Sequence, residues 1–149
     1  MSFFRIKYPI IVLHIIVILV IGEILLKPEK VGKIDDVVIS VLNLSLNPDT
    51  PIYLGETNLN HMQSEHPEDF EKYGDKLTEI LSSPDYIAKH PNKDSIEYIK
   101  VFYDESLEEH VLVAVRASQR GMFYARSLFV MSDEKVRKYK AKNALNKYK

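Results

Sequence analysis

Three consecutive runs, Ser95–Tyr103, Val111–Arg116 and Met122–Met131, carry the period-two pattern of strands, and this constrains the chain more than any other feature. In the first, Ile96, Tyr98, Lys100 and Phe102 face one way and Glu97, Ile99, Val101 and Tyr103 the other, because successive side chains of a strand point to opposite faces. In the second, Val111, Val113 and Val115 face away from Leu112, Ala114 and Arg116. The connections, Asp104-Glu105-Ser106 and Ser118-Gln119-Arg120-Gly121, are short enough for hairpins. An antiparallel meander is therefore expected, and its apolar side needs cover.

Helices upstream can supply that cover. Asp35 or Asp36 can cap a short helix through Leu44, with Val37, Val38, Val41 and Leu42 on its apolar side. Asn47-Pro48-Asp49 makes a turn and Pro51–Leu54 reads as a short strand. Thr57 or Asn58 then caps a helix carrying Leu59 and Met62 and extending towards His66. Pro67 suits the first turn of the next helix, Pro67 to Ser82. Its stripe of Phe70, Tyr73, Leu77, Ile80 and Leu81 is core by spacing. After the meander, Ser132-Asp133-Glu134 signals the N-terminus of a basic helix expected to run to the chain end with Val136, Tyr139 and Leu145 as its apolar positions. The fold class read from this order is α+β, with N-terminal helices packed on a small antiparallel sheet and a basic C-terminal helix.

Ahead of these elements, Pro9 to Leu26 is an apolar run broken only by His14, Gly22 and Glu23 and preceded by Arg5 and Lys7. Its 18 residues sit at the short end of what spans a bilayer. It is a candidate membrane anchor, with a buried strand or helix as the alternative reading. No small-x-small cleavage site follows it, and Lys27, Lys30 and Lys33 balance the basic start, so no orientation emerges. Lys27-Pro28-Glu29-Lys30 is a polar breaker, which places a boundary near residue 30 between segment 1–30 and a domain over 31–149.

The chain has no Cys, which removes disulfides, thiol nucleophiles and Cys-ligated zinc and is compatible with the cytoplasm. Its net charge of −1 conceals an uneven distribution. Acidic residues dominate from Glu56 to Glu109, whereas Lys135, Arg137, Lys138, Lys140, Lys142, Lys147 and Lys149 crowd the end. Such a tail can meet phosphates, or form a solvated helix terminus.

Two histidines are candidates for proton transfer. His61 and His66 are five positions apart, about 140° on a continuous helix, which disfavours a shared metal site. His61 can project into a cleft, while His66, directly before Pro67, can cap the next helix. His14, His90 and His110 are read as structural or incidental. Arg116 suits a growing phosphate charge because its planar fork bonds two oxygens, whereas Lys100 is read first as an exposed or ion-paired cation. Alternation puts Tyr124 and Arg126 on one face and Ser127 on the other with Ala125 and Phe129, unless the strand is bulged. Ser127 has no Gly-x-Ser-x-Gly surroundings, and there is no Gly-rich phosphate loop.

Several stretches together resemble the phage-associated branch of the barnase, EndoU, colicin and RelE-like nuclease superfamily: Ile52 to Met62, His66 to Tyr73, Ser83 to Ile87, Val111 to Arg116 and Tyr124 to Phe129. The resemblance implies N-terminal helices on a four-stranded antiparallel sheet, one strand more than the three clear runs. It also implies a metal-independent ribonuclease without a cofactor, acting as a phage or mobile-element toxin and partnered by an immunity or antitoxin protein. The matching site residues are His61, Arg116 and Ser127, with His66 as a further candidate. Where relatives often carry Tyr, this chain has Phe129. The mechanism expected is attack of an RNA 2′-hydroxyl on the adjacent phosphate, with His61 moving the proton, Arg116 stabilising the phosphorane and Ser127 bonding a phosphate oxygen. Lys100, Tyr124, Arg126, Lys135, Arg137 and Lys138 are the expected RNA contacts. A non-catalytic RNA- or protein-binding module on the same fold, or a small membrane-anchored protein using residues 9–26, are the rival readings.

Overall fold

The computed structural model describes residues 9–149, without the side chains of residues 22–26. Arg5, Lys7 and the side chain of Glu23 lie outside the described residues. The elements run α1 (Ile10–Leu26), β1 (Glu29–Ile34), α2 (Asp36–Leu42), β2 (Thr50–Leu54), α3 (Glu56–Glu65), α4 (Pro67–Tyr73), α5 (Leu77–Ser82), β3 (Tyr86–Lys89), β4 (Ser95–Asp104), β5 (Leu107–Ala117), β6 (Phe123–Val130), α6 (Asp133–Ala141) and β7 (Asn146–Lys147).

The α+β class and the β4–β5–β6 meander hold, but the sheet is larger and mixed. Seven strands lie in the order β1-β2-β6-β5-β4-β3-β7, and β2 pairs in parallel with β6. Strands β1, β3 and β7 escape sequence reading for a common reason. Glu-Lys-Val-Gly-Lys-Ile, Tyr-Ile-Ala-Lys and Asn-Lys are too short or too polar to show alternation and are recruited by pairing with neighbours. The polar breaker expected at Lys27–Lys30 thus passes directly into β1. Gly32 lets α5 approach that strand, since a Cβ there would lie 3.2 Å from Leu81 Cβ.

Each face of the sheet has its own cover. Val111, Val113 and Val115 of β5, with Ala125 and Leu128 of β6, join Val38, Met62, Tyr73, Leu77 and Ile80 from α2 to α5 in the larger core. Ile99, Leu112 and Met131 meet Val136 and Tyr139 of α6 on the opposite side. The helix expected over Pro67–Ser82 is divided by a 3-10 turn at Gly74–Lys76, and the Phe70 ring occupies the space that a Cβ at Gly74 would need. Nor does α6 reach the chain end. It stops at Ala141, where Asn143 turns left-handed (φ 54°) and the Ala144 N–H returns to the Tyr139 carbonyl. The same device, Asn43 at φ 52° with the Leu44 N–H on the Ile39 carbonyl, ends α2 two residues short of Leu44.

Side-chain bonds tie the layers. Asp69 of α4 accepts the Val130 N–H of β6 at 3.0 Å, and Lys72 bridges Asp104 and Glu109 on the β4–β5 hairpin. At the C-terminus, the Tyr148 hydroxyl donates to Asp35, whose other oxygen caps α2 through the Val38 N–H. Burial and this carboxylate raise the Tyr148 phenol to about 12.

The apolar run forms α1, 17 residues long, and its side chains from Ile10 to Ile21 are exposed. Among the described residues no helix is long and apolar enough to cross a membrane. The expectation of a membrane anchor therefore lacks structural support, and so does the alternative of a buried core element.

Tyr98 is fully buried and its hydroxyl has no hydrogen-bond partner among the described residues. Tyr98→Phe is therefore expected to leave stability unchanged or raise it by up to about 1 kcal/mol, whereas Tyr148→Phe costs about 1 kcal/mol. Urea unfolding of both variants against the parent checks the contrast.

Candidate functional site

One irregularity in β6 builds the site. Pairing with β5 runs Ala114↔Ser127 and then Val115↔Ala125, so Arg126 is an extra residue. Such a bulge re-aims side chains. Both Ala125 and Leu128 lie in the helix-side core, which strict alternation forbids for residues three apart. The intervening pair, Arg126 and Ser127, lines a single cavity on the α6 side. The expectation that alternation separates Ser127 from Arg126 is corrected by this bulge, the exception the sequence left open.

The cavity, about 130 Å³ in volume, has a stepped floor. Glu97, Ala114 and Ser127 form one row across β4, β5 and β6, with Ser95, Arg116 and Tyr124 in the next. The small Ala114 leaves space between the Glu97 carboxylate and the Ser127 hydroxyl. Towards the other end the row Ile99, Leu112 and Phe129 fills the sheet surface.

Cations surround a single buried carboxylate. Arg116, Arg126, Lys93 and Lys135 all line the cavity with Glu97, and among the described residues no ion pair links any of them to it. Arg126 reaches the Ala117 carbonyl through Nη2 at 3.4 Å, while its Nε is buried without a partner among the described residues. A buried guanidinium N–H left unpaired is costly unless a ligand oxygen satisfies it. Lys135 places its ammonium 4.5 Å from the Phe129 ring centroid. Glu97 is 2% exposed and accepts the Tyr139 O–H at 2.6 Å through Oε1. Burial, followed by this carboxylate, pushes the Tyr139 phenol well above its usual range.

His90, read from sequence as incidental, also lines the cavity. The N–H groups of Asn92 and Lys93 both donate to its Nδ1 at 3.0 Å, an arrangement that puts the proton of the neutral ring on Nε2. No spacing rule identifies His90 or Glu97. Glu97 carried one signal only, an acid on a strand face shared with Ile99 and Val101.

Other expected site residues lie elsewhere. His61 is exposed on α3 and pairs with Glu65 at 3.1 Å. It does not line the cavity with Arg116 and Ser127. His66 occupies the N-cap position of α4 without a side-chain cap, and its ring packs 5.1 Å from Phe129. Tyr124 leans on Tyr53 at 6.1 Å. Lys100 donates to the Ser83 carbonyl at 2.7 Å, capping the end of α5. Lys138 pairs with Glu134, and Arg137 lines a separate cleft with Glu108, His110 and Asp133. Among the described residues, no group of three or more His, Asp or Glu side chains is placed to hold a metal ion.

His110 is buried beside that cleft, and burial lowers its imidazole below the ordinary value. The unfolded chain then binds this proton more readily than the folded one, so His110 favours folding above the unfolded value of about 6.5 and this contribution is lost as pH falls below it. Unfolding midpoints measured from pH 7.5 down to pH 5 are expected to fall less steeply for His110→Gln than for the parent.

The comparisons with known proteins concern this same region. The family model described as phage-Barnase-EndoU-ColicinE5/D-RelE like nuclease3 matches residues 29–138, which contain every residue lining the cavity and exclude α1. No curated protein and no solved structure gave a match.

Proposed function

Because the chain belongs to the phage-Barnase-EndoU-ColicinE5/D-RelE-like nuclease family, we propose that the α6-side cavity is the cleavage site and that its substrate is RNA. The observation that carries this reading is the bulge, which gathers Arg126 and Ser127 beside Arg116 and a buried carboxylate. Two guanidiniums can hold the non-bridging oxygens of one phosphate and stabilise the added charge of a phosphorane. Ser127 donates a further hydrogen bond. Glu97 has one oxygen engaged by Tyr139 and the other unengaged, which leaves an acceptor for the proton of a 2′-hydroxyl.

In this mechanism the 2′-oxygen attacks phosphorus, its proton passes to Glu97, and the bond to the departing 5′-oxygen breaks. That oxygen takes its proton from the Lys135 ammonium, with Lys93 and the Nε2–H of His90 offsetting its charge. The substrate brings its own nucleophile, and the side chains in the cavity suffice for general acid/base chemistry. The proton acceptor is thus Glu97 in place of His61, which faces solvent with Glu65. A role as a toxin or effector follows from uncontrolled RNA cleavage and belongs to the same proposal.

Incubating the full-length protein with RNA and with DNA of the same sequence, both in EDTA, tests it. Cleavage of RNA alone is expected, with Glu97→Gln slower by about 10² to 10⁴-fold, Arg116→Ala slower by about 10² to 10³-fold and His61→Ala within a few-fold of the parent. Equal cleavage of DNA, or full activity in both Glu97→Gln and Arg116→Ala, overturns the reading.

A further inference from the structure

The residue matched least obviously to chemistry is the one that touches the buried acid. Tyr139 lies just past the family-matched region, which ends at residue 138. Its hydroxyl donates to Glu97 Oε1 at 2.6 Å, and both side chains are buried, at 9% and 2% exposure. Glu97 stands on β4 and Tyr139 on α6, so this bond crosses from the sheet to the helix that covers it. One turn earlier on α6, Lys135 reaches the same cavity.

We propose that Tyr139 is a positioning residue for proton transfer at Glu97, an inference that rests on the role given to Glu97 above. The bond fixes the carboxylate's rotamer so that Oε2, and not Oε1, is presented to the substrate. The remaining charged and titratable neighbours lining the cavity are Lys93 and His90 from the β3–β4 turn, Arg116 from β5, Arg126 from β6 and Lys135 from α6. Glu97's pairing partners on both sides, Ala88 of β3 and Ala114 of β5, carry no charge. Among the described residues Tyr139 is the side chain that hydrogen-bonds the carboxylate, so its removal isolates that contact.

The test compares Tyr139→Phe with Val136→Ala. The second variant loosens the packing of α6, since Val136 is buried in the same cluster, and keeps the hydroxyl. Two readouts serve: kcat and KM on RNA for each variant, and the effect of Tyr139→Phe in the Glu97→Gln background. For Tyr139→Phe kcat is expected to fall about tenfold with KM little changed, and in the Glu97→Gln background the same change is expected to cost nothing further. Val136→Ala lowers the unfolding midpoint and leaves kcat near the parent. A Tyr139→Phe kcat equal to the parent, a fall reproduced by Val136→Ala, or a fall that persists in full in the Glu97→Gln background overturns the inference. If Glu97→Gln keeps full activity, the role of Glu97 itself fails, whatever Tyr139→Phe does.

Discussion

A strand buried on both faces cannot hide an error of register, and β5 is such a strand. Val111, Val113 and Val115 sit under the helices, and His110 and Leu112 face the α6 side, all of them buried. Slipping β5 by one residue exchanges its faces, bringing Arg116 under the helices and a valine onto the cavity floor. The pairings of β4 and β6 with β5 are therefore fixed by burial, and the rows Glu97–Ala114–Ser127 and Ser95–Arg116–Tyr124 follow from them. The bulge at Arg126 is tolerated because the core asks only that Ala125 and Leu128 both point inward. The extra residue is displaced to the face where space exists.

That face combines costs that seldom coincide without a function. A carboxylate at 2% exposure has a phenol donor but, among the described residues, no cation within ion-pairing distance. Arg126 carries a buried N–H without a partner, and Arg116, Lys93 and Lys135 converge on the same cavity. Like charges so grouped repel one another, and an unpaired buried charge costs several kcal/mol in general. An anion entering this cavity satisfies the Arg126 N–H and offsets the repulsion among the cations. The contrast with Lys72, held by two carboxylates on the surface, separates a cation used for structure from cations kept available.

Much of the fold was legible in the sequence. The meander was visible because Ile96–Phe102, Val111–Val115 and their hairpin turns repeat with a period of two, and the core stripe of α4 and α5 because Phe70, Tyr73, Leu77 and Ile80 repeat at helical spacing. β1 and β3 were not legible, since their pairing partners, Thr50–Leu54 and Ser95–Asp104, supply what their own patterns lack. In the site, Arg116 and Ser127, both named from the sequence, line one cavity. His61 drew attention as an imidazole on a helix, but Met62 faces the core and turns its neighbour to solvent. Glu97 and His90 were not counted among the site residues because an acid in a strand and a histidine in a turn are ordinary until their surroundings are known.

Local pattern by itself thus determined which segments are helices and long strands, that the class is α+β, and that the chain carries a nuclease-family resemblance. Those properties depend on the order of neighbouring side chains. Tertiary structure alone decided that β2 runs parallel to β6, that a single extra residue turns Arg126 and Ser127 to the same side, and that a C-terminal helix delivers Tyr139 to Glu97. Each joins residues distant along the chain or depends on a count of pairings, and a period of two or of 3.6 carries no information about either.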